Sequence, residues 1–232
     1  GSQTWSVFDL PQPTQVDWQS LYDIPVALIT GTNGKTTSTR LCSAIGTAAG
    51  LTAGITSTEF VRVGEDILDY GDYSGPGGAR MLLRDKRLQL AFLEVARGGI
   101  LRRGLPLRQA RAALVTNVAA DHLGQYGVNT VEELAVAKFA VHRTLAANGV
   151  LVLNADDEYV RAEATKTQAT LCWFSLNPAQ PLITQAKTNG HTCAWQEGDD
   201  LVYFDGTKAY PVVNVKDIPL TMGGAADYNI RN

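Results

Sequence analysis

Short apolar runs alternate with segments of helical character along most of the chain. Continuous apolar runs occur in "PVALIT", "LQLAFLEVA", "ARAALVTNV", "GVLVLNADD" and "ATLCWFS". Runs of this length are typical of strands that are covered on both faces. Helix signals occupy residues 35–49, which end at Gly50, and residues 76–86 and 131–147. Strands that alternate with helices predict an α/β fold with a mostly parallel sheet flanked by helices.

The pattern changes at both ends of the chain. Residues 1–22 show little periodicity, so we expect an extended lead-in that packs through Trp5 and Trp18. After about residue 180, short alternating runs are separated by Asn-Gly, Gly-Asp and Asp-Gly, which are hairpin signals. The sequence therefore predicts one domain over residues 23–232, with a small antiparallel sheet near its C-terminus.

The composition is that of a globular enzyme without a charged partner. Of the 232 residues, 45% are hydrophobic and 19% are charged, and the formal net charge is −3. No basic stripe marks a nucleic-acid or anionic membrane surface. No leader pattern opens the chain and no apolar run approaches the roughly 20 residues of a membrane span. We expect a cytoplasmic protein whose scattered cysteines, Cys42, Cys172 and Cys193, are reduced thiols, and oligomerisation stays open.

The first apolar run leads into "GTNGKTT", which has the features of a phosphate-binding loop. Its glycines let backbone amides turn toward a phosphate, and the following helix adds the positive end of its dipole. Lys35 can reach the terminal phosphates and the Thr36 hydroxyl can bind Mg²⁺. Ile29 stands where the general pattern GxxxxGK[ST] has its first glycine. The context of strand, loop and helix still predicts a nucleotide site formed by Gly31, Thr32, Asn33, Gly34, Lys35, Thr36 and Thr37.

Further polar residues follow the other strands, at the sheet edge where ligands bind in open α/β folds. Glu94 ends the second apolar run, and a carboxylate there suits Mg²⁺ bound to phosphates, although a lone Glu also fits a solvated strand end. Asn117 is placed to contact the nucleotide or substrate. His122 follows Asp121 in a loop at the same edge, which predicts contact with a metal or phosphate.

Two other features have competing interpretations from the residues alone. Lys138 lies in an apolar stretch, where a lysine usually extends its ammonium to the surface. In "LNADD", the side chains of Asn154, Asp156 and Asp157 suit either a ribose or the cap of the next helix. The spacing does not decide between these interpretations.

Three arginines closely follow Glu94: Arg97, Arg102 and Arg103. Guanidinium groups pair well with carboxylates, so these arginines can dock an acidic substrate. The alternative is a solvated face of a helix.

Taken in order, these motifs resemble the Mur ligase family. "TGTNGKTT", a Glu that ends the next apolar run, "TNVAADHLG", a lysine in "AK" and "LNADD" resemble the family's central ATPase domain, which folylpolyglutamate synthetase shares. "SGPGGARMLLRD", "LEVARGGILRRGL" and "LNADDEYV" look most like the branch formed by the Mur-ligase-like C-terminal half of cyanophycin synthetases. The resemblance covers about residues 24–232, and the family's form of the loop accounts for Ile29.

The resemblance implies an ATP-dependent carboxylate–amine ligase that acts through an acyl phosphate. Its substrates would be a small-molecule or peptide carboxylate and an amino acid. Lys35 would stabilise the transferred group, Thr36 and Glu94 would hold one Mg²⁺, and His122 would lie at a second. Lys138 matches a lysine that is carbamylated in many Mur ligases and then binds metal. The implied nucleotide residues are Asn117, Asn154, Asp156 and Asn229, of which Asn229 matches the family's adenine contact.

One departure from the family pattern bears on activity. Mur ligases also carry a substrate domain and a further C-terminal domain, whereas Asn232 falls inside the linker motif. We therefore expect a fragment that binds nucleotide but is weakly active or inactive alone. The alternative is a non-catalytic ATP-binding module completed by a partner subunit. A P-loop kinase or GTPase is a weaker third possibility, because the chain has no guanine-reading NKxD motif.

Overall fold

An eleven-stranded sheet runs through the part of the chain that the computed structural model describes, residues 12–15 and 24–232. The strands are β1 (Val26–Thr30), β2 (Ala53–Thr56), β3 (Phe60–Val63), β4 (Asp66–Tyr70), β5 (Leu90–Glu94), β6 (Ala110–Val115), β7 (Leu145–Asn154), β8 (Thr170–Ser175), β9 (Cys193–Glu197), β10 (Asp200–Phe204) and β11 (Ala209–Asn214). The helices are α1 (Lys35–Ala48), α2 (Pro76–Leu82), α3 (Arg97–Arg103), α4 (Val131–Phe139), α5 (Glu158–Ala164), α6 (Pro181–Thr188) and α7 (Asp227–Ile230). Most of the expected lead-in over residues 1–22 lies outside the described residues.

The centre of the sheet is parallel and both of its edges are antiparallel. In the order β9-β8-β7-β6-β1-β5-β2, every neighbouring pair is parallel. Antiparallel strands β3 and β4 extend one edge, and β10 and β11 extend the other. The predicted α/β fold with a mostly parallel sheet is confirmed. The antiparallel part near the C-terminus is also confirmed, and it continues the main sheet.

The core lies on the central strands. Leu28 of β1, Leu93 of β5, and Leu151 and Leu153 of β7 are fully buried. Helix α1 packs on β2 and β5, and α6 packs on β8 and β9. Burial on both faces explains why these strands are continuous apolar runs without polar alternation. Within the described residues, no helix combines the length and apolarity needed to cross a membrane.

One predicted helix is shorter than its apolar pattern indicates. The expected helix over residues 131–147 ends at Phe139, a 3-10 helix spans Ala140–Thr144, and β7 begins at Leu145. Leu145, which fits the helical spacing, instead pairs with Ala110 across the sheet. The end of a buried helix and the start of a buried strand are both apolar, so periodicity does not separate them.

Two other helices also differ from the sequence pattern: one is shorter than expected and one was not expected. The helix expected over residues 76–86 ends at Leu82. Helix α6 lies in the region where only hairpins were expected; Pro181 occupies its first turn and the Gln180 side chain accepts a hydrogen bond there. Proline is tolerated in a first turn because its missing N–H has no intrahelical partner there.

The strand order brings the candidate residues to one edge of the sheet. Strand β1 lies between β5 and β6, and it leads directly into residues 31–34 and then α1. Because β5, β6 and β7 run parallel to β1, Glu94, Asn117 and Asn154 all fall near the same carboxyl edge. Ligand sites of open α/β sheets form at such edges.

Helix α4, which carries Lys138, begins with a capping box. The Thr130 side chain accepts a hydrogen bond from the Glu133 amide, and the Glu133 carboxylate accepts one from the Thr130 amide. We expect Thr130→Ala to lower the free energy of unfolding by about 1 kcal/mol, because the Glu133 amide loses its partner. Urea unfolding at neutral pH measures this change.

The matched control is Thr184→Ala, which changes an exposed threonine inside α6. Its unfolding free energy should stay within about 0.5 kcal/mol of the unsubstituted chain. Equal losses in the two variants would contradict a specific capping role for Thr130.

Candidate functional site

The loop after β1 depends on two glycines. Gly31 has φ 151°, and a Cβ atom there would lie 1.8 Å from the Thr116 hydroxyl oxygen. Gly34 has φ 82° in the left-handed region and caps α1 without a side-chain hydrogen bond. The first-turn amides of α1 have no intrahelical carbonyl to bond. They therefore remain available to an anion at a helix N-terminus.

The end of β6 braces this loop. The Asn117 side chain accepts a hydrogen bond from the Asn33 amide at 3.0 Å and donates one to the Asn33 carbonyl at 3.0 Å. Thr116 donates a second hydrogen bond to the same carbonyl at 2.6 Å. The Thr32 amide bonds to the Asn117 carbonyl at 2.9 Å. Asn117 thus shapes the loop with its side chain.

Lys138 reaches the loop from α4. Only 2% of the residue is exposed, and Nζ donates a hydrogen bond to the Gly31 carbonyl at 2.7 Å. Burial, with smaller effects from the charges of Lys35 and Arg97, lowers the pKa of Lys138 from 10.5 to about 7. The surface interpretation of this lysine is wrong, because the packing of α4 turns it inward.

Glu94 is buried beside α1. Its Oε2 accepts a hydrogen bond from the Thr36 hydroxyl at 2.7 Å, and Oε1 has no partner among the described residues. Burial raises the pKa of Glu94, and the contact with Thr36, the charge of Lys35 and the nearby Thr58 amide offset part of that rise, although that amide makes no hydrogen bond of normal geometry to Oε1. The solvated interpretation of Glu94 is therefore wrong, since only 2% of the residue is exposed.

The side chains of Thr36 and Glu94 are suited to bind a magnesium ion. A buried carboxylate oxygen without a donor is costly, and a hard cation would satisfy it. Within the described part of the chain, no group of three or more His, Cys, Asp or Glu side chains could hold a metal. Mg²⁺ bound by one carboxylate usually completes its shell with phosphate oxygens and water, so Thr36 and Glu94 suit that arrangement.

A cleft of about 440 Å³ borders the loop and is lined by seven of the eleven residues expected to contact the nucleotide; Gly31, Thr32, Lys35 and Thr36 are not among its lining residues. Those that line it are Asn33, Gly34, Thr37, Asn117, Asn154, Asp156 and Asn229. Tyr228 and Arg231, which the sequence did not single out, also line this cleft. The cleft is rich in side-chain amides, which both donate and accept hydrogen bonds.

The polar residues of "LNADD" were expected either to contact a ribose or to cap the next helix, and one of them is a helix cap. Asp157 caps α5 by accepting a hydrogen bond from the Val160 amide at 3.0 Å. Asp156 accepts hydrogen bonds from the Ser175 hydroxyl and the Leu176 amide, and Asn154 donates to the Thr116 carbonyl. Asn154 and Asp156 thus tie neighbouring strand ends together, and all three side chains line the first cleft.

A second cleft of about 430 Å³ collects the basic candidates and His122, whereas Thr36 and Glu94 line neither cleft. It is lined by Lys35, Arg97, Arg102, Arg103, His122 and Lys138. Two carboxylates, Asp72 and Asp121, line the same cleft, so basic side chains outnumber acidic ones. A cleft of this charge attracts anions, and guanidinium groups recognise carboxylates and phosphates well.

The three arginines of this second cleft are not equivalent. Arg97 is buried and donates hydrogen bonds to the loop that contains His122. Arg102 bonds within its own helix, to the Gly98 carbonyl, and Arg103 is exposed like Arg102. His122 itself has an exposed side chain, with Nε2 3.4 Å from Asp121 Oδ1.

The sequence analysis did not select several residues that line or support the two clefts, because no motif or spacing marks them. Thr116 is buried and bonds to the loop, and its only sequence signal is its position beside Asn117. Gln125 and Tyr126 line the second cleft within the loop after His122. Tyr228 is adjacent to Asn229 in the first cleft. Each could have been found only as the neighbour of a residue already selected.

Comparison with known proteins identifies related sequences over most of the chain. Residues 29–232 match the family described as the Mur ligase middle domain. A cyanophycin synthetase of Trichormus variabilis is 41% identical over 209 residues, which cover 90% of this chain and 23% of that protein. A UDP-N-acetylmuramoylalanine–D-glutamate ligase of Leuconostoc citreum is 30% identical over 211 residues, which cover 90% of this chain and 40% of that ligase.

Solved structures share the fold at lower sequence identity. A bifunctional folylpolyglutamate synthase/dihydrofolate synthase with Mn, AMPPNP and L-glutamate bound aligns with a TM-score of 0.59 and 19% identity, over 91% of this chain and 54% of that chain. A UDP-N-acetylmuramoyl-L-alanyl-D-glutamate–2,6-diaminopimelate ligase also aligns with a TM-score of 0.59 and 19% identity, over 88% and 43%. The chain spans about a quarter of the length of the cyanophycin synthetases it matches.

The buried Lys138 should make stability depend on pH. Between pH 7 and 10.5 the unfolded chain keeps a proton that the folded chain has lost, so the free energy of unfolding rises with pH. The rise from this group is at most about 1.4 kcal/mol per pH unit. We expect the stability of Lys138→Met to lack this rise, so that the difference in unfolding free energy between the two proteins shifts in favour of the unsubstituted chain as pH increases.

Urea unfolding at about pH 6.5, 8 and 9.5 measures this difference. The buffers should be free of CO₂, because a neutral amine reacts with it. Lys86→Met is the control, since Lys86 is exposed. Parallel pH profiles for Lys138→Met and the unsubstituted chain would show that Lys138 stays protonated.

Proposed function

This chain belongs to the Mur ligase family, whose middle domain it contains, and on that basis we propose that it binds ATP for a carboxylate–amine ligase. The relatives support an ATP-dependent ligase family. The proposed reaction proceeds through an acyl phosphate, and the protein is proposed to be similar in function to cyanophycin synthetases. The complete reaction belongs to a longer protein than this chain, since the chain spans only 23% of such a relative.

The observation that carries this proposal is the position of the phosphate loop between two clefts of different chemistry. Asn33, Gly34 and Thr37 line the amide-rich cleft. Lys35, from the same loop and helix start, lines the cationic cleft instead. A nucleotide in the first cleft would therefore present its terminal phosphate toward an acid held in the second. A simple ATPase has no need of the second cleft.

The chemistry follows from that arrangement. A carboxylate oxygen of the acid forms a bond to the γ-phosphorus, and the bond from that phosphorus to the oxygen of ADP breaks. An amine nitrogen then forms a bond to the acyl carbon, the bond from that carbon to the phosphate oxygen breaks, and the nitrogen loses a proton. Both steps depend on positioning and on neutralised charge. Lys35 supplies positive charge beside the transferred group, and Arg102 and Arg103 supply it for the acid.

Metal binding is assigned to residues on both sides of the loop. Thr36 and Glu94 would hold Mg²⁺, which neutralises phosphate charge when it is bound. His122 would lie at a second metal. Lys138 would join it after carbamylation, and a pKa of about 7 leaves part of its amine neutral and able to react with CO₂. The proposal also fits a buried lysine for which no carboxylate lies within ion-pair distance among the described residues, although the charge of Asp121 acts on it from further away.

The substrate class is proposed from the relatives. Their names include D-glutamate and diaminopimelate ligases, and one solved relative has L-glutamate bound. We therefore assign a small-molecule or peptide carboxylate and an amino acid as the two substrates. A cytoplasmic location is part of this proposal, since ATP is consumed.

Lys35→Ala should abolish ATP-dependent ligation without unfolding the protein. Loss of the ammonium removes charge stabilisation from the transferred phosphoryl group, so the rate should fall by roughly 10²-fold or more. The measurement is phosphate release that depends on an amino-acid or dipeptide acceptor, in the longest chain that contains this domain. Lys86→Ala is the control, because Lys86 is exposed and does not line either cleft.

Two outcomes would contradict this function. Retained activity in Lys35→Ala would remove the loop from the mechanism. Nucleotide binding with no acceptor-dependent release, across a broad panel of acceptors in the longest chain, would favour a non-catalytic ATP-binding module.

Glu94→Gln should weaken nucleotide binding only when Mg²⁺ is present. The substitution keeps the side-chain volume but replaces a buried anionic oxygen, so the apparent Mg²⁺ affinity should fall at least about tenfold. Calorimetric titration of nucleotide at a series of Mg²⁺ concentrations measures the change. Glu163→Gln is the matched control, since Glu163 of α5 is also buried but pairs with Lys166, which follows that helix. Superimposable Mg²⁺ dependences for Glu94→Gln and the unsubstituted chain would exclude Glu94 as a ligand.

A further inference from the structure

The loop that carries His122, residues 121–127, has an unusual backbone. His122 has φ 48° and Tyr126 has φ 56°, both in the left-handed region. Gly124 and Gly127 lie there as well, at 84° and 76°. Non-glycine residues adopt this conformation only where the surrounding structure holds them in it. The contacts that hold this loop therefore decide where His122 lies.

A single guanidinium group contacts the loop at three points. Arg97 Nη1 donates a hydrogen bond to the His122 carbonyl at 2.7 Å, and Nη2 donates one to Gln125 Oε1 at 3.1 Å. The Arg97 Cζ atom also lies 5.7 Å from the centre of the Tyr126 ring. Arg97 is only 8% exposed. The planar guanidinium presents several donors in a fixed geometry, so one side chain can fix several parts of a loop.

The side chain of His122 has little else to orient it. It is 66% exposed, and the nearest ionic contact is Asp121 at 3.4 Å. Packing therefore does not fix the imidazole, and its position follows from the backbone on which it stands. Arg97 bonds directly to the carbonyl of that residue. A displacement of about 1 Å in a reactive group is enough to reduce function severely.

We propose that Arg97 is a positioning residue that holds the His122 loop for metal–nucleotide binding, and that it does not dock the acid substrate. This role rests on the proposed function for its use of His122 at a metal. Arg102 also lies over the Tyr126 ring, with Cζ 5.5 Å from its centre, but its side-chain hydrogen bond goes to Gly98 of its own helix and not to the loop. Arg102 and Arg103 remain the carboxylate-binding groups of the cationic cleft.

The first test measures the loop itself in the chain without nucleotide. The Gly124 amide bonds to the Val128 carbonyl and the Val128 amide bonds to the Gln125 carbonyl, so both amides report whether the loop is closed. Arg97→Met should lose hydrogen-exchange protection at these amides, while the unfolding transition stays cooperative. Arg97→Lys, which keeps the charge but has a single donor group, should lose part of the protection at these two amides. Unchanged protection in Arg97→Met would overturn the proposal.

The matched control removes a guanidinium group elsewhere. Arg87 makes hydrogen bonds to Asp85 and Asp66 and touches no part of the His122 loop. Arg87→Met should therefore leave protection at Gly124 and Val128 unchanged. Equal losses of protection in Arg87→Met and Arg97→Met would reduce the effect to general destabilisation and overturn the proposal.

The second test measures the affinity for Mn²⁺ with AMPPNP, detected by the electron spin resonance of the manganese. Groups that orient a metal ligand typically change metal affinity by about 10–100-fold, and we expect a loss of that size in Arg97→Met. A double-mutant cycle with His122→Ala identifies the route. If Arg97 acts through His122, adding Arg97→Met to His122→Ala should cause no further loss.

The two tests separate this proposal from the proposed function. Additive losses in the cycle would overturn the link between Arg97 and His122. If the unsubstituted chain binds no Mn²⁺–AMPPNP, the proposed function fails, and the exchange measurement still decides whether Arg97 holds the loop. An unchanged affinity in Arg97→Met, together with a raised KM for the acid in the longest chain, would return Arg97 to substrate docking.

Discussion

The site depends on one backbone constraint in the phosphate loop. A loop that offers its amides to a phosphate must satisfy its carbonyls elsewhere, because an unpaired buried carbonyl is costly. Here the first three carbonyls each have a side-chain donor: Lys138 for Gly31, Lys35 for Thr32, and both Thr116 and Asn117 for Asn33. The Gly34 carbonyl accepts from the Ser38 amide of α1, and the side-chain donors come from α1, α4 and the residues that follow β6. The conformation of four residues therefore depends on the packing of the whole central sheet.

The hydrogen bond to the Gly31 carbonyl places Lys138 in a buried position where a positive charge is disfavoured. Lys138 is buried and lies near the charges of Lys35 and Arg97, so both burial and repulsion favour its neutral form. A neutral amine still donates a hydrogen bond to the Gly31 carbonyl, which means that the loop keeps its support when the proton is lost. The burial that places Lys138 Nζ against the loop thus also leaves part of the amine neutral and able to react. The support of the loop and the proposed carbamylation therefore depend on the same side chain.

The sequence predicts the parts of this site that depend on local pattern, and it fails where distant packing decides. The sheet and the loop follow from apolar runs and from glycine, lysine and threonine at fixed spacing. The burial of Lys138 does not, because it depends on contact with Gly31, 107 residues away. Neighbouring residues in an apolar helix look alike whether they face solvent or the core. The role of Arg97 is hidden for the same reason, since its partners lie 25 and 28 residues further along the chain.

The two clefts differ in a way that suits the two reactants of the proposed phosphoryl transfer, the nucleotide and the acid. Amide side chains such as Asn117 and Asn154 can match the mixed donors and acceptors of a nucleoside. Basic side chains in the other cleft suit a carboxylate and a phosphate, and Lys35 stands where the two meet. Because Arg97 uses its donors on the His122 loop, the acid is left to Arg102 and Arg103, which lie on the exposed end of α3. The buried Arg97 thus holds the loop beside the reacting centre, whereas the exposed Arg102 and Arg103 lie where the acid substrate would bind.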